Sequence, residues 1–228
     1  MLHFFREKIH RVAVLAPFLL LVMAVASYGA EKEADRGNPH VRIAIIPFQA
    51  ILPETTSSKT VFCPLCGAGY FGGKIEKGAE NVVEGILINK LQAFKEVEII
   101  PVDKVEGIYK LISAETLKGT LFDILKKVGT ELDADEVVLG YVFRYEERIG
   151  YDYAVEKPAS VAFEINFINT KTGRIVWRGV FDKTQKSLME DVLQISSFYK
   201  GGGKWQNARD LSKQGMNEIF EKFSIFER

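Results

Sequence analysis

Residues 134 to 182 constrain the fold most, because this stretch contains three β-rich segments. Two of them, VAFEINFI and RIVWRGVF, flank the short polar loop NTKTG, in which Gly173 can supply the left-handed residue of a hairpin turn. Side chains alternate along a strand, so the first of these segments is predicted to bury one face, which carries Val161, Phe163, Ile165 and Phe167. An antiparallel hairpin is therefore expected late in the chain.

The segments before this stretch alternate between strand and helix patterns. The apolar run VRIAIIPF at residues 41 to 48 predicts a central strand that Pro47 ends. Residues 74 to 94 have helical spacing, and VEIIPVD at 97 to 103 predicts a second strand. A strand, helix and strand of these lengths predict a parallel βαβ unit.

The remaining helices complete a single domain. Residues 104 to 132 are predicted to form two helices, with Ser113 as the cap of the second, and a last amphipathic helix follows the Gly-rich linker at 199 to 204. The expected fold class is α/β: one domain at residues 41 to 228, with a mixed β-sheet covered by helices.

The N-terminal residues have the pattern of a secretory signal peptide. Arg6, Lys8 and Arg11 precede an apolar run at 12 to 26, and small residues follow. The alternative is an uncleaved anchor, but the run is short for a membrane span of about 20 apolar residues. We predict a signal peptide at 1 to 30, a flexible lead-in at 31 to 40, and export of the body.

Charge and histidine content narrow the function classes. The chain has 30 basic and 30 acidic residues, so no basic excess points to nucleic acid. After signal removal His40 is the one remaining histidine, which argues against a histidine base or a multi-histidine metal site. The chain also lacks Gly-x-Ser-x-Gly and His-Glu-x-x-His motifs. These features favour a function other than catalysis.

The order of IAIIPF, a crossover helix, a strand, ILKKVGTELDADEVVLGYV and TGRIVW resembles a bacterial envelope superfamily. The pattern of helix, Gly, Ala-Asp, apolar strand and Gly at residues 125 to 142 is similar to that of the curli-secretion channel lipoprotein (CsgG-type). Lpo-type activators of penicillin-binding proteins and the N-terminal domain of the Tol-system propeller protein share it. The resemblance covers about residues 41 to 182 and implies an α/β domain used in the periplasm, or at the outer-membrane periphery, for assembly, self-association or partner binding.

Two departures limit this resemblance. Many relatives carry a lipid-anchored Cys directly after the signal, whereas AVASYGAEK has none. The loop at 146 to 157 is too polar to supply membrane-spanning strands of about ten residues each. No integral membrane pore is therefore expected once the signal has been removed.

The segment Cys63-Pro64-Leu65-Cys66-Gly67 resembles the metal knuckle of rubredoxins and zinc ribbons, in which two thiolates bind zinc or iron. The pair is half of a four-ligand site, which His40 plus a carboxylate, or a second knuckle across a dimer axis, would complete. A local disulfide, an inert loop and a redox-active thiol pair are the alternatives. Cys63 and Cys66 are thus candidate residues for a metal or disulfide.

Two glycine-rich segments lack the spacing of a phosphate-binding loop. GYFGGK at 69 to 74 has Ala68 in place of the first glycine and Ile75 in place of the hydroxyl residue, and Trp205 follows GGGK at 201 to 204. Both segments are interpreted as flexible joints.

Aromatic residues supply the candidate partner surface. A strand pattern predicts that Tyr141, Phe143 and Tyr145 share one face, which is either buried or in contact with a partner. The residues Phe198, Tyr199 and Trp205 flank the Gly-rich linker and form a second candidate patch. The leading hypothesis is a non-catalytic envelope protein that binds a partner, and the alternative is a metal-dependent or thiol-dependent protein that uses Cys63 and Cys66.

Overall fold

A six-stranded sheet forms the centre of the fold in a computed structural model of the protein, which describes residues 41–53, 59–116, 118–151, 154–185 and 205–223. The strands are β1 (Val41–Ile45), β2 (Gln49–Ala50), β3 (Thr60–Phe62), β4 (Gly69–Phe71), β5 (Val97–Ile99), β6 (Glu136–Glu146), β7 (Ile149–Tyr151), β8 (Ala154–Lys157), β9 (Ser160–Asn169) and β10 (Arg174–Thr184). The helices are α1 (Ala79–Leu91), α2 (Val102–Glu115), α3 (Leu121–Glu131) and α4 (Ala208–Phe220). The predicted signal peptide and lead-in lie outside the described residues.

The sheet is mixed, as the sequence predicts. Its strand order is β10-β9-β6-β1-β5, and β2 also pairs with β6. Strand β1 is parallel to both β5 and β6, and α1 connects β1 to β5 as the crossover. Strands β9 and β10 form the late antiparallel hairpin, in which Gly173 has a φ of 66° and donates its N–H to the carbonyl of Asn169. The α/β fold class is confirmed.

Two apolar clusters cover the two faces of the sheet. Helices α1 and α4 pack on one face, where the core includes the predicted set Val161, Phe163, Ile165 and Phe167. Helices α2 and α3 and the β3–β4 hairpin pack on the other face. The alternation of β9 explains this division, because successive side chains point to opposite faces.

A β-bulge in β6 corrects the prediction that three aromatic residues share a face. The register with β9 shifts between Val142 and Arg144, so Phe143 is the extra residue. Tyr141 and Phe143 pack in the cluster with α2 and α3, whereas Tyr145 packs in the cluster with α1 and α4. The bulge thereby places Arg144, and not Tyr145, on the face covered by the β3–β4 hairpin.

Two local predictions from the sequence are wrong. Helix α3 begins at a capping box in which Thr120 and Asp123 exchange hydrogen bonds, whereas Ser113 lies inside α2. The segment at 69 to 74 is not a flexible joint, because its first three residues form β4. A Cβ on Gly73 would lie 2.6 Å from the Arg144 side chain, so the backbone there needs a residue without a side chain. The second glycine segment, at 201 to 204, lies outside the described residues.

Candidate functional site

The two cysteines lie in the tight loop between β3 and β4. The N–H of Gly67 donates to the carbonyl of Cys63 at 2.9 Å, and Gly67 has a φ of 70°, a left-handed conformation that glycine adopts without strain. The backbone N–H of Cys66 donates to Cys63 Sγ at 3.4 Å. The loop therefore places the backbone N–H of Cys66 against the Cys63 sulfur.

Glu164 of β9 meets both sulfur atoms. Its Oε1 lies 3.2 Å from Cys63 Sγ and 3.4 Å from Cys66 Sγ. Both cysteines are free thiols, Cys63 buried and Cys66 exposed, and Glu164 is 0% exposed. One ligand atom from each of the three residues lies within 4.8 Å of the others. We call Cys63, Cys66 and Glu164 the thiol–carboxylate cluster.

Three further side chains hold the Glu164 carboxylate in place. Arg178 Nη2 donates to Oε2 at 2.9 Å, and the Tyr70 hydroxyl donates to the same oxygen. Asn166 Nδ2 donates to Oε1 at 2.8 Å. Glu164 and Asn166 are two residues apart on β9, and Arg178 of β10 pairs in register with Asn166, so all three side chains share one face of the sheet.

The surroundings of the cluster perturb its ionisation. Burial raises the pKa of the Cys63 thiol to about 12, and the hydrogen bond to Glu164 acts in the same direction. Burial alone would raise the pKa of Glu164, but donors from Arg178, Tyr70 and Asn166 lower it to about 2. The carboxylate is therefore ionised at neutral pH beside a protonated Cys63 thiol.

The sequence located two members of this cluster, Cys63 and Cys66, and missed the third, Glu164. Cys63 and Cys66 are brought together as predicted, but the carboxylate beside them comes from β9. The signal that indicates it is the polar pair Glu164 and Asn166 within an otherwise apolar strand segment. His40, the predicted additional ligand, lies outside the described residues, and completion by a second copy stays a prediction.

Of the two alternatives for Tyr141, Phe143 and Tyr145, the structure shows burial, so these residues supply no partner surface. They fill the two cores on either side of the sheet. Trp205 is half-buried, and its carbonyl accepts a hydrogen bond from Arg148 Nη1 at 2.6 Å. Phe198 and Tyr199 lie outside the described residues.

The β3–β4 hairpin exposes a pair of aromatic residues that sequence reasoning missed. Phe62 is 65% exposed and Phe71 is 71% exposed, whereas Val61 and Tyr70 of the same strands are buried. Antiparallel pairing sets Phe62 opposite Gly69 and Thr60 opposite Phe71, so both phenylalanines are on the outer face. We call this pair the hairpin aromatic face.

A large open cleft, of about 990 Å³, lies between the end of α2 and α3. Its charged lining consists of three lysines and three acidic residues, and it shares no residue with the thiol–carboxylate cluster. Within the described ranges, no helix is long and apolar enough to cross a membrane.

No protein-family profile and no curated protein matches the sequence. Several solved structures are similar at low identity. The PelC dodecamer from Paraburkholderia phytofirmans is 12% identical with a TM-score of 0.44, covering 81% of this chain and 87% of that chain. Lipoprotein GNA1162 from Neisseria meningitidis is 11% identical with a TM-score of 0.38, covering 72% of this chain and 98% of that one. The LpoB C-terminal domain from Escherichia coli is 10% identical with a TM-score of 0.38, covering 68% and 90%.

These likenesses are to proteins of bacteria, and one of them is named as a lipoprotein. LpoB carries the name of the Lpo-type group that the sequence resembles. The narrower resemblance to curli channels and to the Tol propeller protein stays a prediction. At these scores, neither the biology nor the oligomeric state of the similar proteins is carried over to this chain.

Proposed function

We propose that this protein is an exported, non-catalytic envelope protein that binds a second envelope protein through the hairpin aromatic face. Export is supported by the signal-like residues at 1 to 30, and an envelope role by the resemblance of residues 41 to 182. The observation that carries the binding proposal is the exposure of Phe62 and Phe71 on one side of a short hairpin. Exposed aromatic residues are enriched at protein interfaces and often supply most of the binding energy.

The hairpin aromatic face is held rigidly, which lowers the entropy lost on binding. The Tyr70 ring stacks on Phe143 of β6 with centroids 4.0 Å apart. Arg144 Nη1 donates to the Phe71 carbonyl at 2.7 Å, and the same guanidinium donates to Ser160 Oγ at 2.6 Å. These contacts fix β4 to the sheet, and β3 is held by its pairing with β4, while the two phenylalanines face outward.

The protruding form of the hairpin aromatic face favours a partner with an apolar groove over a second copy of this chain. A phenylalanine side chain offers roughly 200 Å² of surface, so the two together offer about 270 Å² at their exposure. A standard interface buries about 800 Å² per partner, so the two rings are the centre of a contact and not the whole of it. A symmetric dimer would set this protruding face against itself, whereas two protruding phenylalanines act as anchors that enter pockets of a different protein.

Site-specific photocrosslinking in the native host tests this proposal. A benzoyl-phenylalanine in place of Phe71 is expected to give one discrete adduct with a second envelope protein. The matched control is the same probe in place of Tyr151, an aromatic residue of β7 that is 82% exposed. The adduct should disappear when Phe62 is changed to Ser in the same chain. An adduct with a second copy alone, equal adducts from both positions, or no adduct at position 71 would contradict the proposal.

A further inference from the structure

We propose that the thiol–carboxylate cluster binds one thiophilic divalent cation of the zinc class, with Cys63 Sγ, Cys66 Sγ and Glu164 Oε1 as ligands. The proposal is independent of the partner proposed above. In a tetrahedral zinc site, with Zn–S near 2.3 Å and Zn–O near 2.1 Å, sulfur and oxygen ligands lie about 3.6 Å apart. The two sulfur-to-Oε1 distances, 3.2 and 3.4 Å, are close to this separation.

The loop around Cys63 has the form of a metal knuckle. The backbone N–H of Cys66 donates to Cys63 Sγ at 3.4 Å, a contact that favours negative charge on the sulfur. Gly67 in the left-handed conformation turns the chain directly after the second cysteine. Cys66 is exposed, so an ion can reach the cluster from solvent.

The two oxygens of Glu164 have different neighbours. Oε2 accepts from Arg178 and Tyr70, whereas Oε1 faces both sulfur atoms and accepts from Asn166 Nδ2. Hydrogen bonds to the second oxygen of a carboxylate fix the orientation of the oxygen that binds the metal. Arg178 and Tyr70 are therefore positioning residues, and Oε1 is the ligand atom.

The charges of the cluster balance when a divalent ion is bound. Binding releases one proton from each thiol to solvent and leaves two thiolates and one carboxylate, a total charge of −3. The cation and the Arg178 guanidinium supply +3 together.

Three protein ligands leave the fourth position of a tetrahedral zinc ion to water. The buried Oδ1 of Asn166, beside Glu164, has no hydrogen-bond partner among the described residues.

Cobalt titration of the full-length mature protein, reduced and free of chelator, tests the site. One equivalent of Co²⁺ per chain should produce a thiolate-to-cobalt charge-transfer band, which Zn²⁺ then removes by displacement. Cys66→Ser alters an exposed residue and is expected to keep the fold while losing the band. Glu164→Gln should weaken binding at least about tenfold. The matched control is Glu84→Gln, a buried glutamate on α1, which should bind as wild type does.

Three results would overturn the proposal. The first is a reduced wild-type protein that gives no charge-transfer band, which would favour a disulfide or an inert loop. The second is a Cys66→Ser protein that binds with wild-type affinity. The third is a stoichiometry of one ion per two chains, which would assign the ion to a site shared between two copies.

Discussion

The Sγ atom of Cys63 lies 3.2 Å from Oε1 of Glu164, a residue 101 positions later in the chain. This contact joins the loop of the β3–β4 hairpin to β9, the strand next to the edge strand β10. The Tyr70 hydroxyl donates to the other oxygen of the same carboxylate, Oε2. A single buried charge therefore organises the polar side chains under the hairpin.

Loss of that charge is expected to destabilise the fold. Glu164→Gln leaves Arg178 without its counter-charge and weakens the hydrogen bonds from Tyr70 and both thiols. Arg178 keeps 37% of its side chain exposed, so water compensates in part, and we expect a loss of about 1–3 kcal/mol in the free energy of unfolding. Urea unfolding at neutral pH with a metal chelator present measures it.

The control for this variant is Glu76→Gln, which removes an ion pair between Lys74 and Glu76 at the surface. An exposed pair contributes at most about 1 kcal/mol, so this variant should unfold close to wild type. Equal unfolding free energies for Glu164→Gln and Glu76→Gln would show that the buried carboxylate does not organise the hairpin.

Two glycines inside helices should respond to alanine in opposite directions. A Cβ on Gly215 of α4 would lie 2.5 Å from the Phe181 ring, so Gly215→Ala should push α4 away from β10 and cost about 1–3 kcal/mol. A Cβ on Gly85 of α1 meets nothing within 4 Å, so Gly85→Ala should gain about 0.5–1 kcal/mol from helix propensity. Thermal unfolding of both variants compares them, and a gain for both would contradict the packing of α4.

Glu84 should make stability depend on pH. Burial raises the pKa of this carboxyl, although its Oε2 accepts the N–H of Phe48 at 2.8 Å. The carboxyl ionises less readily in the folded state. Wild type therefore loses stability as the pH rises from the pKa of Glu84 in the unfolded state through its pKa in the folded state. Glu84→Gln keeps an acceptor for Phe48 and cannot ionise.

The difference in unfolding free energy between Glu84→Gln and wild type is therefore expected to grow in favour of the variant from about pH 4 to pH 7. Urea unfolding at several pH values measures it, and the denaturant slope of the two proteins should agree at each pH. A constant difference across this range would show that Glu84 ionises equally in both states.

Arg144 is expected to hold the β4 strand locally. Its guanidinium contacts the Phe71 carbonyl, Ser160 and Asp182, a set that a lysine ammonium cannot match in geometry. Arg144→Lys should therefore speed amide hydrogen exchange in the hairpin, at Gly72 and Gly73. The amide of Ile100, bonded to Ile43 between β5 and β1, is the internal control and should exchange at its wild-type rate. Unchanged exchange in the hairpin would contradict this role.

The sheet was predictable because its signals are local. Alternation along β9, the glycine at the β9–β10 turn and the helical spacing of α1 each follow from neighbouring residues. The bulge at Phe143 was not predictable from β6 itself. It is defined by the register between β6 and β9, in which Phe143 has no partner residue opposite it. The prediction that Tyr141, Phe143 and Tyr145 share one face was therefore wrong, although all three are buried.

The candidate site likewise has one part that the sequence predicts and one part that it does not. The knuckle geometry at Cys63 and Cys66 follows from a five-residue pattern, since its hydrogen bonds lie within that loop. The position of Glu164 depends on strand order and on how the hairpin packs over β9, which no local pattern specifies. A charged residue at a buried strand position was the one indication of its role, because such a residue needs partners.

Native mass spectrometry of the protein, purified from its host without chelator, tests most directly whether the thiol–carboxylate cluster holds a metal ion. We predict one zinc ion per chain in wild type and none in Cys66→Ser, with both proteins folded. A wild-type chain without metal would contradict this prediction. That holds whether its mass shows both thiols reduced or shows the loss of two hydrogens that a disulfide gives.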